Sequence, residues 1–122
     1  MTDFKYGIVV KNSKIPFLLS WFINISAITL YPFIIFREEP DIETINHERI
    51  HILQQKELLV IFFYLLYSFF WIKNKLKGQS NLEAYLNIPF EKEAYSESNN
   101  PYYILTRNKF SWINFLRDKN DK

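Results

Sequence analysis

From Ile42 to Lys77 the chain runs 36 residues without a glycine or a proline, and this run constrains the fold more than any other feature. Nothing in it stops a helix, yet as a single helix it would measure about 54 Å, longer than a compact domain of this size is wide. The run therefore reads as a helix that starts at Ile42 and bends or breaks between Gln55 and Leu59. Its start is marked by Asp41 as N-cap and by Glu43, whose charge suits the positive end of the helix dipole. The polar turn Arg37-Glu38-Glu39-Pro40 precedes it.

Upstream, Phe4 to Val10 reads as a short strand, and Pro16 opens a helical turn through Leu18, Leu19 and Phe22. Ala27 to Phe36, AITLYPFIIF, has strand composition throughout; Pro32 cannot donate to a ladder and so belongs on an edge or at a bulge. Downstream of Gly78, Ser80 and Asn81 lead into a short segment ending at Ile88. Pro89 then opens a third helix, PFEKEAYSES, which Asn99-Asn100-Pro101 closes. The tail carries apolar residues at Ile104, Phe110, Ile113 and Phe115 and reads as a packed helix that frays near Lys119. Together these elements predict an α+β fold, mostly helical with a small sheet, in one domain covering residues 1–122.

Composition removes several functions. A net charge of +2, from 15 Lys+Arg against 13 Asp+Glu, is too small for a nucleic-acid footprint. With no cysteine there is no thiol nucleophile, cysteine zinc site or iron–sulfur cluster. Gly7 and Gly78 are the only glycines, so phosphate-cradling loops are excluded. Any metal must be held by histidine and carboxylates. The N-terminus lacks a secretory pattern, which predicts a cytoplasmic protein. Of two charge-free runs, Leu58–Ile72 is shorter than the roughly 20 residues a membrane span needs and reads as a buried helix. The other, Ile15–Phe36, is interrupted by Ser20, Asn24, Ser26, Thr29 and Pro32, so it reads as a helix or loop followed by a strand. Peripheral membrane contact through Trp21, Phe22 or Trp71 stays open.

The chemistry lies in His47-Glu48-Arg49-Ile50-His51, which holds both histidines of the chain. Four residues apart on a helix, the two imidazoles lie about 40° apart in projection and can share one metal ion. Glu48, turned about 100° from His47, sits beside the ligands as a base for a metal-activated water. Ile42, Ile45, Ile52 and Leu53 form an apolar arc roughly opposite, with Arg49 intruding. Gln54 and Gln55 fall near the histidine face one turn on, and surface solvation accounts for at least one of them. A catalytic zinc needs a third protein ligand and an open fourth position. Glu57 points about 240° away from His51 and is rejected, so a carboxylate from another helix must close the site.

HERIH at 47–51 and FEKEAY at 90–95 resemble the gluzincin zinc metallopeptidases, in which H-E-x-x-H is completed by a glutamate on a following helix. The resemblance implies a minimal zincin-like domain with an H-E-x-x-H helix, a glutamate helix and Zn2+ held by His47, His51 and Glu91. Glu93 stays open as the alternative ligand in a shifted register. Tyr95 stands where this family usually has an acid. The implied reaction is hydrolysis of a peptide or protein substrate by a zinc-bound water, with Glu48 as general base. Tyr95, Tyr102, Tyr103 and Arg107 are candidate oxyanion donors, and Glu97 or Tyr95 could hold a ligand imidazole through its second nitrogen. AITLYPFIIF stands where such peptidases pair an extended substrate with the sheet edge. The competing reading is a non-catalytic metal-binding or membrane-associated helical interaction module.

Overall fold

The computed structural model describes residues 7–11, 27–36 and 39–117. Outside them lie Phe4–Tyr6 of the first predicted strand, the turn expected at Pro16–Phe22, Trp21, Arg37-Glu38, most of the Ile15–Phe36 run and the expected fray near Lys119. The described strands are β1 (Ile8–Val10), β2 (Ala27–Leu30) and β3 (Phe33–Phe36). The described helices are α1 (Ile42–Glu57), α2 (Ile61–Leu76), α3 (Asn81–Leu86), α4 (Pro89–Glu97) and α5 (Tyr103–Thr106), followed by a 3₁₀ turn at Ser111–Phe115. The architecture is mostly helical α+β with a small sheet in the order β1-β3-β2.

AITLYPFIIF is a hairpin and not one strand. Tyr31 and Pro32, joined by a cis peptide bond, form its turn, so the proline sits neither on an edge nor at a bulge. The turn needs no ladder donor from Pro32, which frees FIIF to become the central strand. β3 pairs antiparallel with β2 and parallel with β1. Its Ile34 and Phe36 pack with Ile52 of α1 in one core cluster, against which Val9 and Ile45 lie. Gly7 enters β1 at φ +96, and a Cβ there would come within 2.8 Å of Ile34 and 2.9 Å of Ile52, so only glycine fits.

α1 starts where Asp41 predicts, its carboxylate accepting from the Thr44 N–H at 2.8 Å. The long run breaks at Leu58–Val60, and α1 and α2 diverge by 113°. Leu59 and Val60 both take positive φ, 55° and 64°, a conformation that costs non-glycine residues on the order of 1–3 kcal/mol. The Ile61 N–H closes the turn onto the Leu59 carbonyl at 2.6 Å. What holds the break is burial on either side of it, because Leu58 and Phe63 both join a second core of Phe63, Ile88, Phe90 and Trp112. α2 is buried on one face only. Ile61, Phe62, Leu65, Phe69 and Ile72 are exposed, which corrects the buried helix expected at Leu58–Ile72, and Leu76 beyond that run is exposed as well. No single described helix is long and apolar enough to cross a membrane.

Ser80 and Glu83 exchange side-chain and backbone bonds in a capping box that starts α3, and Pro89 opens α4. The tail departs from the predicted packed helix. α5 stops after Thr106 because Arg107 turns extended, Phe110 is left-handed at φ 61, and the 3₁₀ turn buries Trp112. Phe110 and Ile113, expected to pack, are exposed. The apolar arc of α1 is also redrawn: Ile42 is exposed, while Asn46, His47, Glu48, His51, Gln54 and Gln55 are buried.

Candidate metal centre

α4 lies across α1, with Phe90 and Ala94 fully buried and the Asn46 amide donating to the Ser98 carbonyl at 3.2 Å. This crossing sets Glu91, in the first turn of α4, over the two imidazoles, whose rings meet edge to face at 80°. Its Oε1 lies 2.9 Å from His47 Nε2 and 3.0 Å from His51 Nε2, and the two nitrogens are 3.2 Å apart. All three residues are buried. The structure thus distinguishes the two registers geometrically. Glu93, about 200° further round the helix, faces a separate cluster with Arg107 and Tyr103. Glu57, rejected from sequence as a ligand, pairs with Arg107 in that same cluster.

Donor chemistry and spacing fit a divalent cation such as zinc. Two imidazole nitrogens and one carboxylate oxygen form a three-ligand set, and tetrahedral zinc wants ligand atoms roughly 3.3 Å apart. Glu91 offers a single oxygen to the centre, because its Oε2 accepts from the Tyr67 hydroxyl at 2.6 Å. Glu48 is buried beside His51, and its charge acts on that ring. Its Oε2 accepts from the Thr29 hydroxyl at 2.5 Å.

The two buried carboxylates of the cluster favour positive charge on the imidazole of His51. Burial pushes the His51 pKa down, but the Glu91 charge and hydrogen bond, with the Glu48 charge, push it further up, to about 9. Burial would raise Glu91, yet the charge on His51 and the bonds from both histidines hold its carboxyl well below the usual carboxylate range. In metal-free protein the raised His51 pKa stabilises the fold fully below about 6.5 and loses that contribution as pH climbs through about 9. The lowered Glu91 pKa contributes above about 4.5 and is lost in acid. The melting temperature of metal-free protein is expected to peak in the weakly acidic window between these limits. A melting profile that rises from pH 6 to pH 9 would contradict the assignment.

The second nitrogen of His51 is taken by Gln54, whose Oε1 lies 2.7 Å from Nδ1; neither Glu97 nor Tyr95 fills that role. Both Gln54 and Gln55 are buried, which corrects the reading of at least one of them as solvated at the surface. Gln55 stands in for a neighbouring strand, its Nε2 donating to Thr29 O and its Oε1 accepting from Tyr31 N, each at 2.9 Å. The Tyr64 hydroxyl also donates to Thr29 O. An extended peptide could use Thr29 O and Tyr31 N only by displacing Gln55 and, at Thr29 O, Tyr64 as well. Among the expected oxyanion donors, Tyr95 alone packs on a ligand, its ring 4.3 Å from that of His47 and its hydroxyl 3.0 Å from that of Tyr85. Tyr103 and Arg107 bind Glu93, and Tyr102 is exposed. Thr29, Tyr67 and Tyr85 escape a sequence reading because nothing local marks them; the packing of β2 on α1 brings in Thr29, and the packing of α2 and α3 against α4 brings in Tyr67 and Tyr85.

Comparison with protein-family models, with curated proteins and with solved structures finds no match for this chain.

Proposed function

We propose that the chain is a small zinc-dependent metallopeptidase of the gluzincin type, acting on a peptide or protein substrate. The observation that carries the reading is the convergence of His47 Nε2, His51 Nε2 and Glu91 Oε1 within 3.2 Å of one another, beside a buried Glu48. These three residues would hold the ion and leave a fourth position open. Zinc, when bound, supplies a Lewis acid for the carbonyl oxygen and lowers the pKa of water.

The remaining chemistry belongs to the chain. Glu48 takes the proton of the attacking water and returns it to the leaving amine. Thr29 occupies its Oε2, which assigns the shuttle to Oε1. Tyr95, hydrogen-bonded to Tyr85, is the donor placed beside His47 for the developing oxyanion. Tyr67 fixes Glu91 so that it binds through one oxygen.

The test is metal content. Protein purified without chelator is expected to carry about one zinc per chain, with His47→Ala and Glu91→Ala each losing it. Hydrolysis of an unstructured protein such as casein is expected to stop on chelation and return with zinc. Zinc-replete wild-type protein that carries no metal would sink the enzyme reading and favour a helical interaction module.

A further inference from the structure

We infer that Gln54 commits His51 to metal binding, and that the buried network behind it, Glu93, Arg107 and Glu57, holds Gln54 in the required orientation. The inference rests on the metallopeptidase reading and extends that site to residues no ligand would touch.

The argument follows from donors and acceptors. Gln54 Nε2 donates to the Phe90 carbonyl at 3.1 Å and to Glu93 Oε1 at 2.9 Å. A flipped amide would set its oxygen against both of these acceptors, so Oε1 must face His51 Nδ1 at 2.7 Å. An amide oxygen only accepts. The proton of neutral His51 therefore sits on Nδ1, and the lone pair sits on Nε2, the nitrogen turned toward Glu91 and His47. Without that acceptor, the neutral ring can carry its proton on Nε2 and donate it to Glu91, which closes the site to a metal.

Glu93 is held in turn. Its Oε2 accepts from Arg107 Nε and from the Tyr103 hydroxyl, each at 2.6 Å, and its Oε1 accepts from Arg107 Nη2 at 3.1 Å. Arg107 is anchored to Glu57 by a two-pronged bond of 2.8 and 3.1 Å, and Glu57 also accepts from the Phe110 N–H at 2.6 Å. Gln54 and Glu93 have no exposed surface at all. Burying an amide against an ion network with one excess carboxylate is costly, and the geometry it enforces at His51 gives that arrangement a purpose. The segment from Tyr103 to Phe110 is thereby mechanically joined to a metal ligand.

The test compares wild type, Gln54→Met, and the exchange Gln54→Glu with Glu93→Gln, each verified as folded by circular dichroism. Zinc affinity is read by chelator competition, and the imidazole protons are read by 15N-resolved NMR. Gln54→Met is expected to weaken zinc roughly 10–100-fold and to lose the protected Nδ1–H resonance of His51. The exchange restores an acceptor at Nδ1 and is expected to recover the Nδ1–H resonance, while the carboxylate oxygen that it sets against the Phe90 carbonyl keeps zinc affinity between those of Gln54→Met and wild type. A merely structural role would leave the protonated nitrogen unchanged. Wild-type zinc affinity in Gln54→Met overturns the inference, as does a His51 proton on Nε2 in the wild type, a measurement that needs no variant. A wild-type chain that takes up no zinc overturns the proposed function alone. The tautomer of neutral His51 is then read in metal-free protein at alkaline pH, where Nδ1–H sustains the inference and Nε2–H defeats it.

Discussion

Glu48→Gln is expected to lower peptide hydrolysis roughly 10²–10⁴-fold while leaving zinc content at the wild-type value. Glutamine keeps the size of the side chain and an oxygen that can still accept from the Thr29 hydroxyl, so the packing between β2 and α1 survives. What it loses is the ability to take a proton. The ligand set of His47, His51 and Glu91 is untouched, which separates this variant from His47→Ala and Glu91→Ala, where metal and activity disappear together. Turnover of the Glu48→Gln protein within about tenfold of wild type would show that another group moves the proton. Thr29→Val is a useful companion, since it removes the bond to Oε2 but not the base.

Arg107→Met is expected to cause the largest loss of stability. The Arg107 side chain is 3% exposed and lies between Glu57 and Glu93, whose side chains are 7% and 0% exposed. Removing the cation leaves two carboxylates buried and unpaired, a change that typically costs about 3–5 kcal/mol. For a domain of this size that corresponds to a fall in melting temperature of about 10–20 °C. Arg107→Lys keeps the charge but not the fork that binds Glu57 in two places, so it is expected to fall between the two. Adding Glu93→Gln to Arg107→Met removes one stranded charge and should recover part of the loss. A melting temperature for Arg107→Met within a few degrees of wild type would mean that water reaches the cluster and the network contributes little.

The elements legible in the sequence are those with local signals. Asp41 marks the start of α1 and Pro89 that of α4, because a cap or a proline acts within its own turn, whereas the stretch after Ser80 and Asn81 read only as a short segment and the Ser80–Glu83 capping box of α3 emerged with the structure. The break in the long run was legible only as a window. Leu59 and Val60 are poor residues for positive φ, and the packing of Leu58 and Phe63 chooses the position. The hairpin in AITLYPFIIF was hidden because each half has strand composition and only pairing divides them. The tail was misread for a related reason, since Arg107 leaves the helix to reach partners 14 and 50 residues away.

The pairing of His47 with His51, and the place of Glu48 beside them, was determined by the sequence alone, because spacing on one helix fixes projection whatever the helix packs against. The choice between Glu91 and Glu93 could not be made that way. Two residues on α4 differ in direction by more than half a turn, and which of them meets the histidines depends on how α4 crosses α1. The fate of Gln54 and Gln55 was decided at the same level. Polar side chains on a helix read as solvated until Glu93, Phe90, Thr29 and Tyr31 supply bonds that replace water, and burial then becomes tolerable. Local chemistry is written along the chain, whereas a polar interior exists only after distant partners have been brought within bonding distance.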